Sequence, residues 1–146
     1  MMRRILSIIV CAVAVTTLTT IVVARTAAVE QVLLQPGGDP PTTITLNPVG
    51  SDLNAAGSAT TDILSGEQSF DVQVGKLATA TYTLFVDGNN ITTFTTGKGG
   101  GGQVRFDTNP HGQVQLLPSV LNPVSNIKIV EIKDSNGAVI LTGSFY

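Results

Sequence analysis

The sequence predicts an all-β protein: an antiparallel, Ig-like β-sandwich of about seven to nine short strands, with a small β-barrel as the alternative. Runs in which apolar and polar residues alternate predict strands with one buried and one solvated face. Turn-forming residues separate these runs at intervals of about 8–12 residues. Beyond the N-terminal stretch, no segment sustains the three- and four-residue apolar spacing that is typical of an amphipathic helix.

Length and charge narrow the class of protein. The chain has 146 residues, which allows one domain. Only 12% of the residues are charged and the net charge is −2, which excludes a nucleic-acid-binding protein that acts by neutralising phosphates. The hydrophobic fraction of 42% argues against a wholly disordered chain. We therefore expect one folded domain that has no nucleic-acid partner.

Residues 1–24 have the features of an export signal. Two arginines near the start precede the uncharged stretch Ile5–Val23, and we expect cleavage between Ala24 and Arg25, with a second candidate position after Ala27 or Ala28. The alternative is an uncleaved anchor, because residues 5–23 nearly reach the length of a membrane-spanning helix, about 20 residues. Apart from such an anchor, we expect no membrane contact. The mature protein is expected to be secreted, periplasmic or held at the cell surface.

The remaining chain divides into a Pro/Gly-rich lead-in, residues 25–41, and a single β-domain, residues 42–146. After cleavage it keeps six basic and ten acidic side chains, a net charge of −4. The only cysteine, Cys11, lies in the signal segment. An exported domain without disulfides must be stable through its core alone, which is feasible above about 70–80 residues.

Eight segments are candidate strands, and turn residues join them. Asp87–Asn90 and Asp134–Gly137 lie between apolar runs, as hairpin turns do. One helical turn is expected in Ser51–Ala56 or in Leu117–Leu121. The candidate strands are Thr43–Leu46, Phe70–Val74, Ala80–Val86, Ile91–Thr96, Val104–Phe106, Val114–Leu116, Asn126–Lys133 and Val139–Phe145.

The inventory of reactive side chains is small. The only histidine, His111, lies in Asn109–Gly112, where proline and glycine predict a turn. No cysteine follows the signal segment, so neither thiol catalysis nor a Cys/His metal site is expected. We therefore expect no enzyme activity, no metal and no cofactor.

A pair of carboxylates is the remaining kind of catalytic site that could hydrolyse a substrate. A glycosidase would need two of them facing one cleft at about 5–9.5 Å. The candidates mostly fall in turns or on the polar phase of strands, where charges are normally solvated. The candidates are Asp71, Asp87, Asp107, Glu131 and Asp134. The Asp134–Gly137 segment also resembles the start of a calcium loop, but the required downstream Glu is missing and a hairpin turn is favoured.

Two local features have a plain and a functional interpretation. Gly97–Gly102 lacks the phosphate-loop pattern and predicts a flexible connection; the alternative is a contact loop that orders on binding. Asn90-Ile91-Thr92 is a glycosylation acceptor pattern if the source cell glycosylates. Otherwise the threonines of this segment are typical of the wet face of a strand.

The order of strand-forming and turn-forming residues resembles that of small β-rich domains in uncharacterised exported bacterial proteins. The resemblance lies in three segments, Thr81–Asp87, Val104–Pro110 and Ile129–Phe145. The resemblance covers about residues 68–145, and its motifs are turns and strand cores. It implies an exported β-domain, and it carries no catalytic or ligand-binding residue.

These observations predict a non-enzymatic structural or interaction domain of the cell envelope or the extracellular space. We expect a protein partner, bound through loops or a strand edge, and homotypic assembly is possible because an exposed edge strand can pair. The candidate contact residues are Asp87, Gly88, Asn89, Asn90, Lys98, Gly99, Gly100 and His111.

The alternative hypothesis is a protein that binds a small ligand or a carbohydrate. It requires groups that converge on a pocket. Tyr82 and Phe94 exposed beside Asp87 would support it, whereas burial of both in the core would count against it.

Overall fold

The computed structural model describes residues 38–50 and 52–146, and it is all-β. This confirms the predicted class. Nine strands are present in this part of the chain. They are β1 Gly38–Pro48, β2 Ala56–Leu64, β3 Glu67–Gly75, β4 Thr81–Val86, β5 Asn89–Thr95, β6 Gly102–Asp107, β7 Gln115–Leu116, β8 Ile129–Lys133 and β9 Val139–Ser144.

The nine strands form one mixed sheet in the order β5-β4-β8-β9-β1-β2-β3-β6-β7, and the sheet curls into a half-barrel. All neighbours are antiparallel except β6 and β7. The long strand β1 joins the two halves, because it pairs with β2 along Gly38–Leu46 and with β9 only at Asn47 and Pro48.

Alternating side chains of the strands supply the core. In β3, Phe70, Val72 and Val74 are buried, while Asp71 and Gln73 lie on the other face. Phe70 stacks on Phe106 of β6 with ring centroids 6.4 Å apart. Full burial of one such side chain stabilises the fold by about 1.5–3 kcal/mol.

Two short 3₁₀ turns complete the described part, at Ser119–Leu121 and Val124–Asn126. The first confirms the helical turn predicted around Leu117–Leu121. Each turn buries one apolar residue, Leu121 and Val124 respectively.

The start of the domain differs from the prediction. β1 begins at Gly38, four residues before the predicted boundary at Thr42, and it includes Pro40 and Pro41. The prolines fit because the ladder between β1 and β2 is irregular between Asp39 and Thr42, and bulges and edges are the places where a strand tolerates proline.

β2 is a strand that the sequence did not predict. Its sequence, AGSATTDIL, has few apolar residues, and only Ala59 is fully buried. Its pairing with β1 on one side and β3 on the other therefore outweighs its weak local pattern.

No helix in the described residues is long and apolar enough to cross a membrane. The predicted signal segment 1–24, its cleavage site between Ala24 and Arg25, and most of the lead-in lie outside the described residues.

Candidate functional site

The predicted turn after β4 is a two-residue hairpin loop, Asp87-Gly88, with φ of 48° and 80°. Positive φ at both positions is typical of a type I′ turn, for which Asp-Gly is a preferred pair. The Asp87 carboxylate accepts hydrogen bonds from the backbone N–H of Lys128, at 3.1 Å, and of Ile129, at 2.8 Å. Asp87 therefore holds the start of β8 against the hairpin.

The next two residues already belong to β5. Asn89 stays close to the turn, since its Nδ2 lies 3.4 Å from the carbonyl oxygens of Val86 and Asp87. Asn90, the residue of the acceptor pattern, is exposed. The segment predicted as a turn through Asn90 is thus shorter, and the strand is correspondingly longer.

The glycine loop, predicted as a flexible connection, contains one closely packed glycine. Gly100 is buried, has φ of 70°, and accepts a hydrogen bond from the Leu77 N–H through its carbonyl at 3.1 Å. A Cβ at Gly100 would collide with the Leu77 carbonyl oxygen and lie 2.6 Å from the Leu77 backbone nitrogen. The glycine is therefore required by close approach of two backbones, whereas Lys98 and Gly99 are exposed.

His111 lies in an exposed turn, in which its carbonyl accepts from the Val114 N–H at 3.3 Å.

The candidate contact loops are not brought to one place. Asp87 follows β4 and His111 follows β6, which run in the same direction, so both lie at one end of the sheet. The glycine loop follows β5 and lies at the other end.

The five candidate carboxylates serve separate local structures. Asp107 accepts from the backbone N–H of Asn109 at 2.8 Å. Asp71 accepts from Gln103 across β3 and β6 at 2.7 Å, and Glu131 pairs with Lys133 at 3.1 Å. Asp87 and Asp134 lie at opposite ends of β8. In the described part of the chain, no three His, Cys, Asp or Glu side chains form a group that could hold a metal ion. These positions give no support to the hydrolase hypothesis.

Asp134 closes the second predicted hairpin turn. Its Oδ1 accepts from the backbone N–H of Asn136 and of Ala138, both at 2.9 Å, and Gly137 has φ of 81°. These are the bonds of a side-chain-capped turn, in agreement with the hairpin interpretation.

Tyr82 belongs to the core, and the partly buried Phe94 packs against it. Their ring centroids are 6.1 Å apart across β4 and β5, and Tyr82 is 5% exposed. The Tyr82 hydroxyl donates to the Ala78 carbonyl at 3.2 Å. Burial raises the pKa of Tyr82 above its ordinary value of 10.0, and the negative charges of Asp52 and Asp134 raise this pKa further. Of these two residues only Tyr82 is buried, so the condition that would count against the small-ligand hypothesis is met for Tyr82 and not for Phe94.

A cavity of about 200 Å³ lies between β1, β2 and the segment from Val124 to Ile127, with Phe145 at one side. It is smaller than the usual range for small-molecule sites, about 300–1,000 Å³. Its lining combines apolar residues with Thr42, Thr61 and Ser125. The small volume and the mixed lining of this cavity therefore do not indicate a particular class of ligand.

The unpaired strand edges are a more distinctive feature. In the described residues, β1 lacks a second neighbour over most of its length, and it carries Pro40 and Pro41 there. The outer strand β7 has only two residues and is followed closely by Pro118. Proline, bulges and short length are devices that prevent edge pairing. The third edge, β5, has seven residues and neither proline nor a charged side chain.

Two residues of β5 direct their backbone groups to the free edge. The Thr96 N–H donates to the Ala80 carbonyl at 3.0 Å, which marks a hydrogen-bonded pair. Because such pairs alternate along an antiparallel ladder, Phe94 and Thr92 also bond to β4, while Thr93 and Thr95 point away from it.

The chain matches no protein-family model, no curated protein and no solved structure.

Proposed function

We propose that this protein is a non-enzymatic interaction domain that binds a protein partner by adding a strand to the free edge of β5. One observation carries the proposal: of the two outermost strands of the described sheet, β5 has seven residues with neither proline nor charge, whereas β7 has only two residues. The outward N–H and C=O groups of Thr93 and Thr95 would supply the main-chain hydrogen bonds of strand addition.

The side chains of β5 are compatible with this role. Thr93 and Thr95 are exposed on the outer face, and threonine is both strand-forming and polar. The outer face already contains a cross-strand threonine pair, Thr81–Thr95, with hydroxyl oxygens 3.2 Å apart. An incoming strand with small or β-branched residues could extend this pattern.

A synthetic heptapeptide of alternating Thr and Val with blocked ends tests the proposal. In protein diluted until it is monomeric, we expect millimolar peptide to slow the amide exchange of Thr95 and to shift the NMR resonances of Thr93 and Thr95. Thr93→Pro removes the outward N–H but no bond to β4, so it should abolish these changes. Thr93→Val keeps the N–H and serves as the matched control, with binding retained.

Either of two results would refute strand addition at β5. One is peptide binding that Thr93→Pro leaves intact. The other is the absence of any slowed exchange at Thr95 when the peptide is present at millimolar concentration.

We further propose that the domain acts outside the cytoplasm after cleavage between Ala24 and Arg25. The charge-free stretch of residues 5–23 and the resemblance of residues 68–145 to exported bacterial β-domains support this location.

We also propose that the two halves of the curled sheet pack like a β-sandwich. The ladder of paired strands passes from one half to the other only at Asn47 and Pro48 of β1, which supports this arrangement.

A further inference from the structure

We infer that the partner strand is β5 of a second copy, so that two molecules pair β5 to β5 about a two-fold axis at Phe94. This inference rests on the proposed function, because it uses the same strand edge. It adds the identity of the partner, the register of the two strands and the symmetry of the assembly.

The register follows from the two residues that face outward. In an antiparallel pair centred on Phe94, Thr93 of each copy lies opposite Thr95 of the other. Both are residues whose N–H and C=O point to the free edge, so the two pairs form four main-chain hydrogen bonds. A pair centred on Thr92 would instead place Thr93 opposite Ile91, where the ladder between β4 and β5 is irregular.

The side chains are self-complementary in this register. Thr93 and Thr95 lie on the same outer face, where cross-strand threonine pairs already occur in the molecule. Phe94 is half-buried against Tyr82, and Gly102 of β6 lies beside its ring. The remaining exposed part of each Phe94 would face its symmetry mate, because the central pair is not hydrogen-bonded and brings side chains close.

The lack of charge on β5 and the nature of the other strand edges favour β5–β5 pairing over pairing of β5 with β1 or β7 of another copy. β5 has no charged side chain, so self-pairing opposes no like charges on the strand despite the net negative charge of the chain. Pairing of β5 with β1 would meet Pro40 and Pro41, and β7 offers only two residues. The isologous pair therefore closes as a dimer and does not propagate.

Sedimentation equilibrium of the protein, as recovered from the producing cell, measures the dissociation constant of the dimer. Thr95→Lys or Thr95→Glu places two like charges diagonally across the axis, and each variant alone should weaken the dimer about tenfold or more. An equimolar mixture of the two variants should restore the wild-type dissociation constant, since the charges then attract.

Thr81→Lys and Thr81→Glu are the matched controls. Thr81 lies on the same outer face and shares its hydroxyl contact with Thr95, so both substitutions lose the same contact. Thr81 lies on β4, which has neighbours on both sides, and its variants should dimerise as the wild type does.

The inference is overturned if the wild type stays monomeric up to about 1 mM, or if Thr95→Lys and Thr81→Lys change dimerisation equally. Neither result affects the heptapeptide test, in which a monomer can still bind an added strand. A monomer that binds the heptapeptide refutes only the second copy as partner. A monomer that does not bind the heptapeptide refutes the proposed function as well.

Discussion

Tyr82 combines burial, a hydrogen bond and neighbouring negative charge at one phenol. Tyr82→Phe removes the bond to the Ala78 carbonyl and should lower the free energy of unfolding at neutral pH by about 1 kcal/mol. Because the folded state raises the pKa of Tyr82, the neutral phenol stabilises the fold fully below about pH 10. This contribution is lost as the pH rises through the higher, folded pKa.

Urea unfolding at several pH values checks this expectation. The difference in unfolding free energy between wild type and Tyr82→Phe should shrink above pH 10. The control is Tyr146→Phe, since Tyr146 is 83% exposed; at neutral pH it should change the unfolding free energy by less than about 0.5 kcal/mol. A constant difference from pH 7 to pH 11 would contradict the assigned role of Tyr82.

Asp87 shows what a sequence reveals about a single residue and what it does not. The Asp-Gly pair between two apolar runs is sufficient to predict a tight turn, and the structure has that turn. The second role of the carboxylate, holding the Lys128 and Ile129 amides, depends on residues about forty positions away. A local pattern contains no information about that contact.

The glycine loop makes a long-range contact that its local sequence does not predict. Consecutive glycines predict flexibility, yet Gly100 is buried against the backbone of Leu77. Gly100→Ala should lower the free energy of unfolding by about 2 kcal/mol or more, because φ is positive and the added Cβ collides with backbone atoms.

Gly99→Ala is the control for this element, since no atom lies within 4 Å of the added Cβ. It should change the unfolding free energy by less than about 0.5 kcal/mol. Equal effects of the two substitutions in urea unfolding would mean that the loop is not packed at Gly100.

At the level of strands, the sequence was informative where one face is buried and the other is wet. β3 and β4 alternate clearly, and both were predicted within a few residues of their bounds. β2 was missed because its pattern is weak and its stability depends on neighbours on both sides. The parallel pairing of β7 with β6 likewise depends on the path of the chain and not on a local pattern.

For the whole molecule, the distribution of unpaired edges links the fold to the proposed function. A strand edge could be anticipated as a means of binding, but its identity could not, because the sequence does not reveal the order of the strands. Once the order places β5 at an edge, its lack of proline and charge becomes informative. In a central strand, the same lack of proline and charge would not indicate a binding edge.

Amide hydrogen exchange of the protein, diluted until it is monomeric, tests the free edge of β5 most directly. We expect Thr93 and Thr95 to exchange rapidly, while Thr92 and Phe94 on the same strand are protected by their bonds to β4. Equal protection of all four amides in the monomer would show that the edge is already covered, which would contradict the account.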